Sequence, residues 1–181
     1  MPACPTLATE RLVLRPFRET DLEAVLAVRS HPEVRRSLRL PESYGRADAW
    51  RAMALWLGQW ELRGSGQWAV EVQGRSLIGH VGLHRPELTD WPGLEVGWTL
   101  HPDWWGRGYA TEAGRRSVAY AFEDIGADEV VSVILPENDR SQQVATRLGL
   151  TWSEDRVLSN LPGEPQGIWR LSRRQWELNE G

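Results

Sequence analysis

Apolar positions along the chain change period from two to between three and four and back, and the changes mark the elements. "RLVLRPF", Arg11 to Phe17, alternates and predicts a strand, with Pro16 near its end. In "TDLEAVLAVRSH" the spacing of Leu22, Val25, Leu26 and Arg29 predicts a helix, opened by a Thr20–Glu23 capping box. A second helix is predicted from Ala47 to about Leu62, ended by Gly64 to Gly66. Trp68 to Val72 and Leu77 to Leu83 read as a hairpin with a turn near Gly74, and Leu94 to Leu100 as the next strand.

Ala110 to Ile125 predicts an Ala-rich helix with Val118, Phe122 and Ile125 on one stripe. "DEVVSVILP" is a short continuous apolar run, the pattern of a strand buried on both faces. "ENDRSQQVATRLG" is a helix stopped by Gly149. "LTWSEDRVL" and "GIWRLS" are the last strands, and a final helix begins at Ser172. The order predicts one domain over residues 1–181, a mixed α/β sheet of about seven strands with flanking helices.

Composition narrows the chemistry. A chain of 181 residues suits one domain with a sizeable core. The apolar runs are too short to span a membrane, and the N-terminal segment lacks the pattern of a signal peptide, so a cytoplasmic protein with no membrane partner is expected. Net charge is −4, which argues against a nucleic-acid partner. All 21 basic residues are arginine, which rules out a Walker A lysine and a Schiff-base lysine. The single cysteine, Cys4, makes neither an internal disulfide nor a Cys-based zinc site. His80 and His84 are four apart on a predicted strand and lack the H-E-x-x-H pattern, so no metal is expected. The 11 tryptophans are read as core and rim packing, with an aromatic-lined pocket as the alternative.

The informative stretch is the turn between strand and helix, Trp105-Gly106-Arg107-Gly108-Tyr109-Ala110-Thr111. A helix that opens there presents amides without intrahelical partners and the positive end of its dipole. Glycines allow a ligand to approach the backbone, so the turn is a candidate phosphate or pyrophosphate seat, with Arg107 adding charge. A dinucleotide-binding fingerprint is the rival reading, but its third glycine is Thr111 and the unit sits in mid-chain.

"GWTLHPDWWGRGYATEA" resembles the acyl-CoA-binding signature of the GNAT N-acetyltransferases, and more narrowly the RimJ/RimL-type branch, which acetylates protein N-termini and assorted small amines. "TERLVLRPFRETDLEAV" is similar to that branch's opening strand and helix, and "ENDRSQQVATRLGL" to its Asn-x-x-Ser helix start. The likeness runs from about Thr9 to Trp176. It departs at Trp105, where the superfamily usually has Gln or Arg, and at Leu150, where Phe is usual. The Tyr that many relatives use as an acid would fall near Ala145 and is missing.

The resemblance implies direct transfer of an acetyl group from acetyl-CoA to an amine acceptor, a peptide N-terminus or a small amine. It places a carboxylate base at Glu95, a proton donor to the leaving thiolate at Ser141, and pantetheine contacts at Trp98, Thr99, Leu100 and Asn138. The amides from Trp105 to Thr111 would hold the pyrophosphate, and Asp103 is a weaker candidate base. Tyr44, Trp50, Trp56 and His101 are candidate acceptor-pocket residues. A base matters because an amine attacks only when neutral. Deprotonation at pH 7 costs about 1 kcal/mol for an α-amine and nearly 5 kcal/mol for a lysine-like one. A non-catalytic acyl-CoA-binding module on the same fold is the alternative. The exposed tryptophans and last strands leave room for a homodimer.

Overall fold

The computed structural model describes residues 4–72 and 77–180, so the turn expected near Gly74 lies outside the described residues. Among the described residues eight strands form one sheet in the order β1-β2-β3-β4-β5-β6-β8-β7. They are β1 Leu7–Ala8, β2 Leu12–Arg15, β3 Gln67–Val72, β4 Leu77–His84, β5 Glu95–Leu100, β6 Glu129–Ile134, β7 Thr151–Val157 and β8 Pro165–Ser172. Every pairing is antiparallel except β5 with β6. The count exceeds the expected seven because β1 is only two residues long, too short to show a period.

The helices are α1 Leu22–Ser30, α2 Pro32–Ser37, α3 Arg46–Arg63, α4 Tyr109–Glu123, α5 Asp139–Arg147 and α6 Arg173–Glu180. Alternation along the strands divides the core in two. On one face Leu12, Leu14, Val81, Val96 and Leu100 pack with Val118 and Phe122 of α4. On the other Phe17 and Ala69 pack with Leu22 and Val25 of α1 and Ala49, Met53 and Trp56 of α3. Ile125, expected on the apolar stripe of α4, lies beyond its end and is 38% exposed.

Local chemistry sets the boundaries. The Thr20–Glu23 capping box does not form. Instead a 3-10 turn at Glu19–Asp21 precedes α1, and the Asp21 carboxylate accepts from the Arg18 amide at 2.7 Å. Asp21 is committed there because it also meets buried Arg15 at 2.8 Å. Burial opposes its charge, yet the bonds from Arg15 and Arg18 hold its carboxyl below the ordinary value. Helix α3 ends at Gly64, where φ is 67°. Helix α2 went unread because six residues hold too few positions to show a stripe; Pro32 starts it and His31 Nδ1 accepts from the Glu33 amide. Ser172 and Gln175 cap α6 reciprocally.

Candidate active site

The site begins where the sheet comes apart. β5 and β6 share one register pair, Glu95 with Val131, and the Val131 amide donates to the Leu94 carbonyl. The next rung of a parallel ladder would run from the Val133 amide to the Val96 carbonyl. The Val133 amide turns instead to Glu95 Oε1 at 3.4 Å. A side chain thus closes the ladder at the fork, and the strands diverge beyond it. The His101 amide donates to Ile78 on β4, so alternate residues of β5 face β4 and the backbone of Trp98 faces the opening.

A groove of about 1590 Å³ runs from the far end of β5 to α4 and α5, beyond the fork. It brings together Trp98, Thr99, Leu100, Trp105, Gly106, Gly108, Tyr109, Ala110, Thr111, Asn138 and Ser141. Gly106 and Gly108 have φ of 73° and 79°, a backbone that favours glycine, and nothing lies within 4 Å of where a Cβ on Gly106 would sit. Helix α4 opens directly after them, with its first amides toward the groove. Arg11, Arg115, Arg116, Arg140 and Arg147 also line it. Free amides with arginines suit a diphosphate, so the donor set fits coenzyme A.

The groove is braced by side chains that no sequence pattern announces. Glu112 accepts from Thr9 Oγ1 at 2.6 Å, the Arg11 amide at 2.9 Å and Arg11 Nε at 2.7 Å, tying α4 to the N-terminal strands. Burial opposes its charge, but these bonds hold its carboxyl below the ordinary value. The Trp105 indole donates to the Leu100 carbonyl at 2.8 Å. Position 105 therefore acts through its side chain as well as its backbone. Arg140 stacks 4.6 Å from the Trp105 ring centroid and bonds Glu33 at 2.9 Å, joining α5 and α2 across the groove. Arg107 points out over Trp104, and only its carbonyl is tied in, by Arg11. Asn138 Oδ1 caps α5 by accepting from the Ser141 amide at 3.2 Å.

Glu95 lies on the opposite face of β5. Side chains there form rows across the sheet: His80 with Thr99, Gly82 with Gly97, and His84 with Glu95, while Gln67 pairs with Gly82. The backbone of Gly66 and Gln67 fills the place of a Cβ on Gly82, but Gly97 leaves a recess between the two polar rows. A Cβ on Gly97 would lie 3.6 Å from Gln67 Nε2 and 3.9 Å from Glu95 Oε1, so both side chains border that spot. Burial pushes the Glu95 carboxyl up to about 8, opposed only by the Val133 bond. Burial and nearby Arg63 push His84 down to about 4. His80 falls well below its ordinary value through burial, Arg29 and His84, and both rings are neutral at pH 7.

The acceptor-pocket candidates scatter. Tyr44 accepts from Arg29 Nε at 2.7 Å beside this recess. Trp56 is a core residue, 5% exposed between Phe17 and His80. Trp50 is 54% exposed in a shallow depression with Leu22, Arg46, Ala47 and Arg51, and the structure does not bring it to the others. His101 caps the turn Pro102–Trp104 and meets the His31 ring at 5.2 Å. Asp103 is exposed. Among the described residues no cluster of His, Cys, Asp and Glu is suited to a metal ion, and no helix is long and apolar enough to cross a membrane.

Comparison with known proteins agrees with this geometry. The family profile of the acetyltransferase (GNAT) domain matches residues 11–151. The chain is 30% identical over 187 residues to the FsC-acetyl coenzyme A-N(2)-transacetylase of Aspergillus fumigatus, covering 96% of this chain and 79% of that one. An acetyltransferase structure from Agrobacterium tumefaciens superposes with a TM-score of 0.81 at 30% identity, covering 96% and 97% of the two chains. The ribosomal L7/L12 α-N-protein acetyltransferase RimL, in complex with coenzyme A, shares the fold at a TM-score of 0.76 and 14% identity, over 93% and 98% of the chains.

Proposed function

The chain belongs to the acetyltransferase (GNAT) family and is an acetyl-CoA-dependent N-acetyltransferase, and from that premise we propose how it acts and on what: it transfers the acetyl group to a primary amine, either a peptide N-terminus or a small molecule, by direct attack. The observation that carries this is the fork, with Glu95 at its vertex and a glycine turn at its mouth.

The chain's own groups divide the work. The α4 amides and the arginines around them hold the diphosphate of the substrate coenzyme. The unpaired backbone of Trp98 takes the pantetheine arm as an added strand. Glu95 receives the amine's proton, directly or through one water. A carboxyl near 8 matches that task, since a base works best with a pKa close to the working pH. Ser141 sits in the groove at the first turn of α5, and on this reading its hydroxyl hydrogen-bonds the departing thiolate and passes it a proton that the hydroxyl regains from solvent. On the same reading residues 1–181 work as one catalytic domain.

The test is thiol release from acetyl-CoA over a panel of amines, including peptides that begin with Ala or Ser. Turnover with at least one of them, rising with pH toward a plateau above about 8, is the expected result. A flat pH profile removes Glu95 as the base, and no release with any amine removes the acceptor class.

A further inference from the structure

The recess on the Glu95 face is lined asymmetrically in charge. On the His80 side stands Arg29, half-buried, with Nε bonded to Tyr44 Oη at 2.7 Å and Nη1 3.4 Å from His80 Nε2. Its guanidinium also lies 5.4 Å from the ring centroids of Tyr44 and Trp56. No carboxylate meets it among the described residues, and Nη2 has no partner there. The other charges nearby are matched: Arg63 pairs with Glu87, and Asp48 with Arg51. A half-buried guanidinium without a counter-ion is the kind of group that binds anionic oxygen.

A second observation is independent of that charge. Gln67 is 5% exposed, and its Oε1 faces His80 Nδ1 at 3.1 Å. An arginine donates only, so His80 Nε2 is the accepting nitrogen and Nδ1 carries the proton. That proton goes to Gln67 Oε1, which turns the amide Nε2 toward Gly97, where it has no partner among the described residues. A donor at the tip of a largely buried side chain, facing the recess one row from an unmatched cation, suits oxygen atoms on the ligand. Glu95 is the one acid facing this spot among the described residues, and at neutral pH its carboxyl is mostly protonated. The recess is therefore cationic overall and unsuited to an acceptor with several ammonium groups.

We infer that the acceptor is an amine that also carries a carboxylate, seated with its nitrogen toward Glu95 and its carboxylate on the Gln67–Arg29 side. This rests on the acetyl-transfer reading and names its substrate class. It favours amino-carboxylates over polyamines and aminoglycosides, whose extra cations would face Arg29 without a counter-charge. Thr99 lies four residue steps along the strand from Glu95, a reach of about 13 Å at about 3.3 Å per residue, so the recess also admits acceptors longer than an α-amino acid.

The experiment compares matched amines in the thiol-release assay: 4-aminobutyrate, 4-aminobutyramide and 1,4-diaminobutane, with alanine and alaninamide as a shorter pair. In the wild type, kcat/KM for the carboxylate member should exceed that of its amide and of the diamine by about tenfold or more, the size of one charge-assisted hydrogen bond. Arg29→Gln should bring that ratio close to one, and Arg29→Lys should keep part of it. A wild-type preference for the diamine or the amides overturns the inference, as does an unchanged ratio in Arg29→Gln.

Binding is read separately, without turnover, by calorimetric titration of N-acetyl-4-aminobutyrate and its amide into the coenzyme A complex. The carboxylate should bind about tenfold or more tighter than the amide to wild type and equally to Arg29→Gln. Equal binding to wild type sinks the subsite. Absent turnover together with selective carboxylate binding sinks the acetyl-transfer reading alone. Coenzyme A affinity close to wild type shows that each variant is folded.

Discussion

The two faces of β5 are built by different means. On the α4 face the proposed coenzyme seat is mainly backbone, the amides after Gly108 and the unpaired groups of Trp98, with arginine side chains reaching in from α4 and α5. On the α1/α3 face the proposed acceptor seat is built of side chains held in a relay, from Tyr44 through Arg29 and His80 to Gln67 beside Glu95. The first face is open and charged; on the second, Gln67, His80 and Thr99 are buried and Tyr44, Arg29 and Glu95 half-buried. A backbone seat tolerates side-chain change and depends on conformation. A relay depends on the identity of each member, because every bond sets the next. Damage to the first face should therefore read in coenzyme affinity, and damage to the second in turnover and acceptor choice.

The largest effect tests that division at its vertex. Glu95→Gln should lower kcat at pH 7 by about 10²-fold or more, with coenzyme affinity close to wild type, and raising the pH should restore part of the loss as the amine deprotonates by itself. The same substitution should stabilise the fold. The carboxyl is pushed up to about 8 in the folded chain against an ordinary value of 4.5. The folded state thus holds a proton that the unfolded state has released, so stability falls as pH rises from 4.5 to 8. Glutamine removes that penalty, on the order of 1 to 2 kcal/mol once discounted for a half-buried site. Melting curves should show Glu95→Gln gaining several degrees at pH 8 and little at pH 4. A loss of coenzyme affinity that matches the loss of turnover would erase the distinction between the faces.

Ser141→Ala comes next, with an expected fall in kcat of about tenfold to 100-fold and little change in coenzyme binding. Ser141 stands on the groove face, so it sharpens the comparison: a residue of that face that acts in turnover must lie at the thioester end of the groove. If coenzyme affinity falls while kcat holds, Ser141 only lines the seat. The helix should survive, since the α5 cap uses the Ser141 amide and not its hydroxyl.

What the sequence revealed divides along the same line. The order of strands and helices was legible from apolar period, and the turn at the groove from Gly106-x-Gly108 before a helix, because backbone devices leave local signatures. The elements that went unread, β1 and α2, are too short to display a period. The relay was illegible for a different reason. Arg29, Gln67 and His80 come from α1, β3 and β4, and only sheet register brings them together. His80 drew notice only as a metal ligand, and Arg29 only as a position on a helical stripe. Trp56 drew notice as an aromatic but serves the core, and Trp50 stands apart in solvent. A tryptophan announces contact area, not the side on which the contact is made.

Gly108→Ala should give a smaller effect, confined to the groove. A φ of 79° places a Cβ in the left-handed region, and that Cβ would sit 3.4 Å from Arg11 Nη2. The strain is about 1 to 2 kcal/mol. It falls on the turn that aims the α4 amides, so coenzyme Kd should rise by about tenfold, while kcat at saturating coenzyme stays within about twofold of wild type. A fall in kcat at saturation would show the turn and the acyl position to be coupled.

Trp105→Phe carries the smallest expected change and the finest test. It deletes the indole donor to the Leu100 carbonyl and keeps an aromatic ring beneath Arg140. One such bond is worth about 1 kcal/mol, so coenzyme affinity should weaken by about fivefold. The released carbonyl belongs to the stretch of β5 that faces the fork, and the ring lines the groove, so acceptor selectivity should not move. If instead the carboxylate-to-amide ratio shifts, strand β5 transmits strain from one face to the other, because Leu100 adjoins Thr99 and Thr99 pairs with His80. The two faces would then be a single coupled device, with the strand as its lever.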